Sequence, residues 1–585
     1  MGRIVTFSVW WGAVAILSAT ALTRTAGAFY LDEGQNISLR ARIYSQAAFR
    51  LNDSQTDTVP STKRGQLIQH RNFVNPELDA KLTSYTSWMK GSFLDFLAPD
   101  DFRFRVAGWG FYDGIYDYGP TQFNESQKRI NATYPDLTQR TSAFFLEGPR
   151  FDPQANTLGK IFPGAEVQHP RDIYATQRRV NELYLSYSKG PVFLRLGRQA
   201  ISWGESDTIA LLDQNNPFDV TLGAPGVFED VEESRIPLWT LRGSLNLFDT
   251  WGPLSSGFVE AYWVPGDIDN NTGILPILGA SPFSARGKDP QLLVNEQAGS
   301  LLRAQFVLFD HVPKKEFENS RWGVRLQTVV NRFFTVSTWF YTHFPNGPVP
   351  RSLGLTRTAQ GVSLFTTETV HKLTSVIGAS NTFFLEPLDT IVRMEAEYFD
   401  NEPAFIPEIN LGITQATRNA PLTVLTACNN NKCKVPRADF LRWELGFDRF
   451  FFFRPLNPTN SFIFTGAIVG SWNLDETSHK DFRFSGQKKP GTPGTSPDDF
   501  VQLKVVEAFA QIHLQSDYLH GRFTPGITYI QNARGTYAIL PTLSYRWTDW
   551  LLFDIKLIHI GGEYQQLGFF RDRDEIATRV TYQLN

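Results

Sequence analysis

Two neighbouring runs of residues alternate between apolar and polar side chains with a period of two. In Val180–Tyr187 the apolar residues from Leu183 onward occupy odd positions, and in Val192–Gln199 they occupy even positions. The tight turn 188–191 joins the runs, and a long acidic segment follows the second. Period-two alternation indicates strands with one apolar and one polar face. A short turn at one end and a long loop at the other is typical of a transmembrane β-barrel hairpin.

The same rhythm continues to the end of the chain and predicts a closed antiparallel transmembrane β-barrel. If the first predicted strand of the chain rises from the periplasm, the short links between strands fall on the periplasmic side and the long links fall outside, as in bacterial barrels. The last predicted strand must pair with the first, because a barrel in lipid has no free edge. The sequence therefore predicts an all-β fold of about eighteen strands, with sixteen as the alternative and with long extracellular loops. Bounded by turn residues, the predicted strands are 37–50, 76–88, 101–113, 180–188, 191–199, 236–248, 256–264, 319–330, 333–343, 372–384, 388–399, 440–453, 459–472, 501–516, 519–530, 535–547, 550–560 and 574–585.

Residues 1–28 have the features of a cleaved signal peptide. Arg3 supplies a positive start, Ile4–Leu22 is largely apolar, and Ala26-Gly27-Ala28 is an A-x-A cleavage pattern. An uncleaved anchor is the alternative, since the apolar run is close to spanning length. We expect residues 29–585 to form one barrel domain in a bacterial outer membrane.

The chain has two cysteines, Cys428 and Cys433. Two thiols cannot complete a closed zinc site, and a chain that leaves the cytoplasm enters compartments where disulfides persist. We therefore expect a local disulfide across one extracellular loop and no metal site.

The alternation also assigns charged residues to the inward faces of the strands. Arg40 and Arg42, for example, alternate with the apolar Leu39 and Ile43. A charge on the lipid face at mid-depth costs about 2–4 kcal/mol, so an inward orientation is expected. The alternative role for these charges is only to pair and fill the interior. The predicted lumen charges are Arg40, Arg42, Arg103, Arg105, Arg195, Arg242, Arg325, Glu395 and Glu444.

The segment after Gln199 has the composition of a loop that folds into the lumen. Trp203 and Phe218 are apolar anchors, Pro217 stiffens the path, and Gly204 permits a tight bend. Its acids are then expected to face Arg40, Arg42, Arg103 and Arg105 and to create a transverse field; these acids are Glu205, Asp207, Asp213, Asp219, Glu229, Asp230, Glu232 and Glu233. The alternative is an ordinary solvated loop. The predicted pore constriction comprises Arg198, Gln199, Ser202, Trp203, Glu205, Asp207, Asn216 and Asp219.

The sequence offers no motif for catalysis, cofactor binding or nucleic-acid binding. The nine histidines form no pair of metal-ligand type, and no nucleophile elbow, P-loop or dinucleotide fingerprint occurs. The formal net charge of −3 comes without a basic patch, which gives no indication of nucleic acid. We expect no enzymatic activity and no cofactor. An outer-membrane hydrolase stays as an alternative, because catalytic triads are defined by geometry rather than by spacing.

Several short motifs resemble a bacterial protein family. They are Gly-Arg-Gln at 197–199, Ser-Trp-Gly-Glu-Ser at 202–206, Asn-Pro-Phe-Asp at 216–219 and Arg-Ile-Pro at 235–237. In these motifs the chain resembles the family known as domain of unknown function 1302, which comprises large outer-membrane barrels. At 217–219 the chain departs from it, since the family more often has a small aliphatic residue there. The resemblance implies a porin-like protein with periplasmic lipoprotein-like partners, and it implies no activity.

Two functional hypotheses follow. The first is a porin-like channel for a small or hydrophobic solute, with selectivity set by lumen arginines and an inward-folded acidic loop. The second is a structural or partner-docking barrel of an envelope transport system for lipids or hydrophobic compounds, without an open pore. In both cases the expected surroundings are outer-membrane lipid and lipopolysaccharide.

Overall fold

A computed structural model describes most of the predicted barrel. The described residues are 29–53, 62–120, 129–133, 141–146, 166–168, 174–204, 214–221, 223–273, 304–311, 313–345, 349–357, 363–405, 436–475, 482–489, 497–563 and 566–584. The predicted signal peptide, the predicted disulfide between Cys428 and Cys433, and the acidic residues Glu205, Asp207 and Asp213 lie outside these ranges.

Eighteen antiparallel strands form the barrel wall. The main sheet has 19 strands, one of which is the two-residue strand Phe29–Tyr30 beside the first barrel strand. The prediction of eighteen strands, rather than sixteen, is therefore confirmed. In chain order the barrel strands are β1 (Ile37–Arg50), β2 (Leu67–Lys81), β3 (Asp101–Asp113), β4 (Thr176–Lys189), β5 (Val192–Gln199), β6 (Leu238–Trp251), β7 (Leu254–Val264), β8 (Arg321–Val330), β9 (Phe334–His343), β10 (Thr374–Leu385), β11 (Thr390–Pro403), β12 (Arg437–Phe451), β13 (Phe462–Asn473), β14 (Val506–Ser516), β15 (Phe523–Asn532), β16 (Tyr537–Thr548), β17 (Leu551–Gly561) and β18 (Glu575–Leu584).

The first and last strands close the barrel. The register of β1 against β18 runs from Ala41 opposite Leu584 to Arg50 opposite Glu575 without a break. Each other strand pairs with its neighbour in the chain order given above. Because none of the eighteen described wall strands is left with an unpaired edge, the barrel sheet satisfies its backbone hydrogen bonds internally, as a structure in lipid requires.

The outer surface of the barrel is an apolar belt with aromatic residues at both rims. Leu196 and Ile377 are exposed on outward-facing rows of β5 and β10. Trp239 lies near the outer end of β6, and Trp251 lies at the opposite end of the same strand, both exposed. Apolar belts bounded by aromatic girdles mark the two interfaces of a membrane barrel.

One predicted strand was wrong in its position. The second strand was predicted at 76–88, but β2 is Leu67–Lys81. Asn75 and Pro76 resemble a turn in the sequence, yet they lie inside β2, where the pairing with β3 is interrupted. Pro76 has no N–H to contribute, and the Asn75 side chain instead donates a hydrogen bond to the carbonyl of Gly108 at 2.7 Å. The other predicted strands agree with the structure within five residues at each end.

The long outer loops contain further short elements. Three of them supply a separate six-stranded sheet made of Arg129–Thr133, Thr141–Leu146, Glu166–Gln168, Ala304–His311, Val349–Arg357 and Ser363–Val370. A two-stranded sheet pairs Arg483–Lys488 with Phe500–Gln502. Among the described residues, the α-helical turns are Ile115–Tyr118 and Val231–Ser234, and the 3₁₀ turns of the outer loops are Phe317–Asn319, Pro497–Asp499 and Gln566–Phe570. Three further 3₁₀ turns, Thr83–Met89, Asp95–Leu97 and Glu386–Leu388, lie in links at the periplasmic end. None of the helices among the described residues has the length and hydropathy needed to cross a membrane.

Candidate functional site: a loop folded into the barrel lumen

The connection between β5 and β6, residues 200–237, is called the lumen loop; its described parts are 200–204, 214–221 and 223–237. Asn216 ties the two ends of this loop together. Its side-chain oxygen accepts a hydrogen bond from the Ile201 N–H at 2.7 Å, and its amide donates to the Ile236 carbonyl at 3.0 Å. Since Asn216 is buried, these bonds form in an environment that shields them from water and makes them costly to lose.

Trp203 attaches the loop to the neighbouring wall from the inside. Its ring lies 4.9 Å from that of Tyr262, and its indole N–H donates to the Glu260 carboxylate. Arg325 donates to the Trp203 carbonyl at 3.5 Å. Position 323 must be glycine for this packing, because a Cβ there would lie 2.8 Å from the Trp203 ring. β7 and β8 are thus shaped to receive this tryptophan.

Val227 and Phe228 attach the loop to a distant part of the wall. They pack in one buried apolar cluster with Ile530 of β15, Leu540 of β16 and Ile558 of β17. In an eighteen-strand ring, these strands lie about half of the circumference away from β5 and β6. The loop therefore extends across the lumen rather than along its own side of the wall.

Glu233 connects the loop to the first two strands. Its carboxylate lies 2.9 Å from the Arg42 guanidinium and 3.5 Å from that of Arg71, and it accepts a hydrogen bond from the Tyr44 hydroxyl at 2.7 Å. Glu233 is buried, which removes water from its charge, and these three partners offset the cost of that desolvation.

Two more acids of the loop bind arginines of the same wall. Glu229 lies 2.9 Å from Arg71, and Asp230 lies 2.9 Å from Arg579 of β18. The Arg579 Nε also donates to Gln46 of β1 at 2.7 Å. The loop acids are therefore held by strands on both sides of the β1–β18 closure.

These arginines stack on inward-facing aromatic rings. The Arg71 guanidinium lies 4.2 Å from the Phe111 ring centroid, and that of Arg179 lies 4.0 Å from the Trp109 ring. Such cation–π contacts are strengthened where water is excluded. We call the set the arginine–aromatic cluster; it consists of Arg42, Arg71, Arg179, Arg579, Tyr44, Phe73, Trp109 and Phe111.

Burial raises the pKa of the Glu229 carboxyl to about 7, although Arg71 acts in the opposite direction. A carboxylate with an arginine 2.9 Å away usually has a lowered pKa, but here the loss of solvent and the nearby acids Asp219 and Glu233 outweigh it. Glu229 therefore changes its charge near neutral pH.

The other predicted constriction residues are only partly brought together. Gln199 is buried and donates to the Thr240 carbonyl at 3.1 Å, which holds the end of β5 against β6. Asp219 is buried and accepts hydrogen bonds from Thr221 N and Oγ1 at 3.1 and 2.6 Å, so it shapes the loop locally. Ser202 is exposed beside Trp203.

Arg198 is placed differently from its predicted role. On β5 it shares the outward-facing row with Leu194 and Leu196, while Gln199 and Arg195 lie on the inward row. A one-residue step along a strand reverses the face, so Arg198 and Gln199 do not lie on the same face of β5.

The loop acids were predicted to face Arg40, Arg42, Arg103 and Arg105. Within the described residues, Arg42 is the one of these four that binds a loop acid, Glu233. Arg105 instead pairs with wall acids, with distances of 2.9 Å to Glu77, 2.8 Å to Asp79 and 2.6 Å to Glu182. Arg103 pairs with Asp101 at 2.7 Å, and Arg40 is exposed at the periplasmic end of β1.

The remaining predicted lumen charges lie on inward rows. Arg242 and Arg325 lie 2.7 and 3.7 Å from Glu260, the same acid that binds Trp203. Arg195 lies over the Tyr184 ring at 4.2 Å. Glu395 of β11 and Glu444 of β12 are buried directly opposite each other in the strand register. No group of three or more His, Cys, Asp or Glu side chains suited to a metal is found in the described part of the chain.

Sequence reasoning missed Arg71, Arg579 and Glu260 as functional residues. Because the second strand was predicted too late in the chain, Arg71 fell in a predicted outer loop. The residues around it, such as Gln69 and Phe73, also show no clear alternation of apolar and polar side chains. Alternation alone placed Arg579 opposite the apolar row of β18, but it could not identify Asp230 as its partner.

A family-level comparison covers nearly the whole chain. The sequence profile of one family, described as "Protein of unknown function (DUF1302)", matches residues 9–584. The chain belongs to the DUF1302 family. No curated protein matches this DUF1302 chain in sequence.

The solved structures to which this DUF1302 protein is similar share little sequence with it. OccAB2 of Acinetobacter baumannii is 9% identical, with 95% of this chain and 99% of that chain covered and a TM-score of 0.41. A BenF-like porin from Pseudomonas fluorescens Pf-5 is 10% identical, with 95% and 99% covered and a TM-score of 0.40. OccD3 of Pseudomonas aeruginosa is 8% identical, with 95% and 93% covered and a TM-score of 0.38.

The membrane setting follows from the barrel itself. A closed antiparallel barrel with an even strand number, an apolar belt and aromatic rims is the form in which bacterial outer-membrane proteins cross the bilayer. This DUF1302 protein is accordingly an outer-membrane β-barrel.

Replacing Arg71 should detach the lumen loop. Arg71→Leu leaves Glu229 without its arginine and removes one partner of Glu233, and breaking such a buried pair costs about 3–5 kcal/mol. Arg103→Leu is the matched control, because the Arg103 side chain is 62% exposed and its ion-pair partner within the described ranges is Asp101; surface pairs contribute about 0–1 kcal/mol. Urea unfolding in detergent micelles measures both. Equal losses in the two variants would contradict a structural role for the Arg71 pairs.

Glu229 should make stability depend on pH. The folded chain holds this proton up to about pH 7, whereas the ordinary value is 4.5. The free energy of unfolding contributed by Glu229 should therefore fall as the pH rises between these values, by roughly 3 kcal/mol in total. Glu229→Gln should remove this dependence, as shown by urea unfolding in micelles at several pH values. An unchanged pH dependence in the variant would show that Glu229 titrates elsewhere.

Proposed function

We propose that this protein is a porin-like channel for a small or hydrophobic solute, and that the lumen loop narrows its pore. The observation that carries the proposal is the attachment of one loop to two separated parts of the wall. Trp203 binds β7 and β8, while Val227, Phe228 and Glu233 bind β15–β17, β1 and β2. A solute that passes through the barrel must then pass beside this loop.

The two walls beside the loop differ in charge, which supports selectivity. On one side the arginine–aromatic cluster lies on β1–β4 and β18. On the other side β11 and β12 carry the buried acids Glu395, Glu397 and Glu444 with Arg393 and Arg442 beside them, and the Trp339 indole N–H donates to Glu397 at 2.8 Å. Opposed charges across a narrow gap orient charged and dipolar solutes, and the aromatic rings offer contact to the apolar part of a solute.

In this proposal the acids of the loop offset the arginine wall. Glu229, Asp230 and Glu233 already engage Arg71, Arg579 and Arg42. Glu205 and Asp207 belong to the same segment of the sequence, and we propose that their charges favour cations. The proposal gives the chain no chemical reaction and no cofactor.

A partner-docking barrel without an open pore is the second candidate. It is favoured by the apolar packing inside the lumen, where Phe228 lies 5.2 Å from the ring of Phe570 and against the side chains of β15–β17. Loops that fill a barrel in this way can plug it. In that function, lipid, lipopolysaccharide and periplasmic lipoproteins are the expected partners.

Trp203→Ala should raise single-channel conductance in planar bilayers. The substitution removes the ring contact with Tyr262 and the hydrogen bond to Glu260, so the near end of the loop loosens. Trp239→Ala is the matched control, because this tryptophan faces outward from β6; it should conduct like the parent.

Replacing Glu205 with Gln and Asp207 with Asn should shift ion selectivity toward anions.

The channel and the docking barrel predict different single-channel recordings. A parent that inserts but never conducts supports the docking barrel. A conducting parent whose Trp203→Ala and acid variants behave identically to it, while still inserting normally, contradicts the assignment of the lumen loop as the constriction.

A further inference from the structure

The link between β2 and β3, residues 82–100, is unlike the other links at the periplasmic end of the barrel. The others have 2 to 10 residues, whereas this one has 19 and contains the 3₁₀ turns Thr83–Met89 and Asp95–Leu97. It also exposes large apolar side chains, since Trp88 is 66% exposed and Phe93 is 87% exposed. A link of this length and composition is not needed to connect two strands.

The first turn of the link divides its residues among three faces. Side chains three residues apart lie above one another in a 3₁₀ turn. One face is aromatic and exposed, with Tyr85 and Trp88, and a second is polar and exposed, with Ser84, Ser87 and Lys90. The third face, with Thr83, Thr86 and Met89, is half-buried against the barrel. An element with separate apolar and polar exposed faces suits a boundary between lipid and water.

The second turn of the link is held on the lipid side of the wall, not below the lumen. The Tyr187 hydroxyl donates to the Leu97 carbonyl at 3.1 Å, and the Lys189 ammonium donates to the Ala98 carbonyl at 3.0 Å. Tyr187 and Lys189 continue the outward-facing row of Leu185 on β4. Phe96, which is also exposed, belongs to this turn.

The beginning of the link continues the hydrogen-bonded ladder between β2 and β3. The Leu82 N–H donates to the Phe102 carbonyl at 2.7 Å, and the Phe102 N–H donates to the Thr83 hydroxyl at 2.9 Å. Phe102 alternates with the inward-facing Arg103 and Arg105 on β3. The first turn therefore starts directly from the wall, and the second turn is bound beside the row that contacts lipid.

We propose that residues 82–100 form an interfacial anchor in the periplasmic leaflet of the outer membrane, with Tyr85, Trp88, Phe93 and Phe96 inserted among the lipids. The bilayer is the occupant that fits, because the exposed rings continue the lipid-facing rows of β3 and β4 at the level of the aromatic rim. Tryptophan and tyrosine prefer this level of a membrane. The anchor is independent of whether the barrel conducts.

The anchor can be tested on the full-length chain in lipid nanodiscs. Phe93→Cys, made in a Cys428→Ser/Cys433→Ser background, is labelled with an environment-sensitive fluorophore. Ser87→Cys on the polar face is the matched control. In nanodiscs of phosphatidylethanolamine and phosphatidylglycerol that contain acyl-brominated lipid, the label at 93 should be quenched roughly twofold or more relative to the label at 87.

Trp88→Ser provides a measurement without a label. Its loss should reduce the fraction of intrinsic tryptophan fluorescence that brominated lipid quenches, while heat-dependent migration in electrophoresis confirms that the barrel has folded. A label at 93 that is no more quenched than the label at 87, together with unchanged quenching in Trp88→Ser, would overturn the anchor. That result would leave the surface facing the periplasm, open to a soluble partner.

Discussion

The structure depends on the pairing of its first strand with its last. Along Ala41–Arg50 and Glu575–Leu584 the backbone hydrogen bonds join β1 to β18 and remove the only two edges of the sheet. In a bilayer an open edge would leave peptide groups without partners, at a cost of several kcal/mol each. The same closure places the Arg42 and Arg579 guanidinium groups at the ring of Tyr44 on the inner wall, so the strand pairing also creates the charged surface that the lumen loop binds.

The lumen loop is stable inside the barrel because each end meets a different kind of partner. Trp203 needs a hydrogen-bond acceptor and a space for its ring, which Glu260 and Gly323 provide. Glu229 and Glu233 need cations in a place with little water, which Arg71 and Arg42 provide. Because breaking a buried ion pair costs far more than the pair contributes at a surface, these contacts favour one position of the loop over many. The proposed selectivity of the pore depends on that fixed position.

Much of the barrel could be predicted from the sequence, because alternation and the cost of charge in lipid act on every strand. Leu194, Arg195 and Leu196 illustrate this: one parity choice places all three side chains. The position of β2 could not be predicted, since Asn75 and Pro76 resemble a turn and only the three-dimensional structure shows the Asn75 side chain replacing a ladder bond. An inward loop after Gln199 was predicted from anchors such as Trp203. The choice of Arg71 and Arg579 as its partners depends on which strands face each other across the lumen, and local sequence patterns do not contain that information.

The central claim is that the lumen loop crosses the barrel to the wall near β18, and a short bifunctional maleimide tests it directly. In a Cys428→Ser/Cys433→Ser background, Asp230→Cys and Arg579→Cys replace two side chains that lie 2.9 Å apart. This pair should cross-link within one chain and change its mobility after denaturation. The control pair, Asp230→Cys with Thr578→Cys, should not cross-link, because Thr578 faces lipid beside Arg579. If the Arg579 pair fails to cross-link although each cysteine reacts with a small maleimide, or if both pairs cross-link equally, the loop does not occupy the lumen in this position.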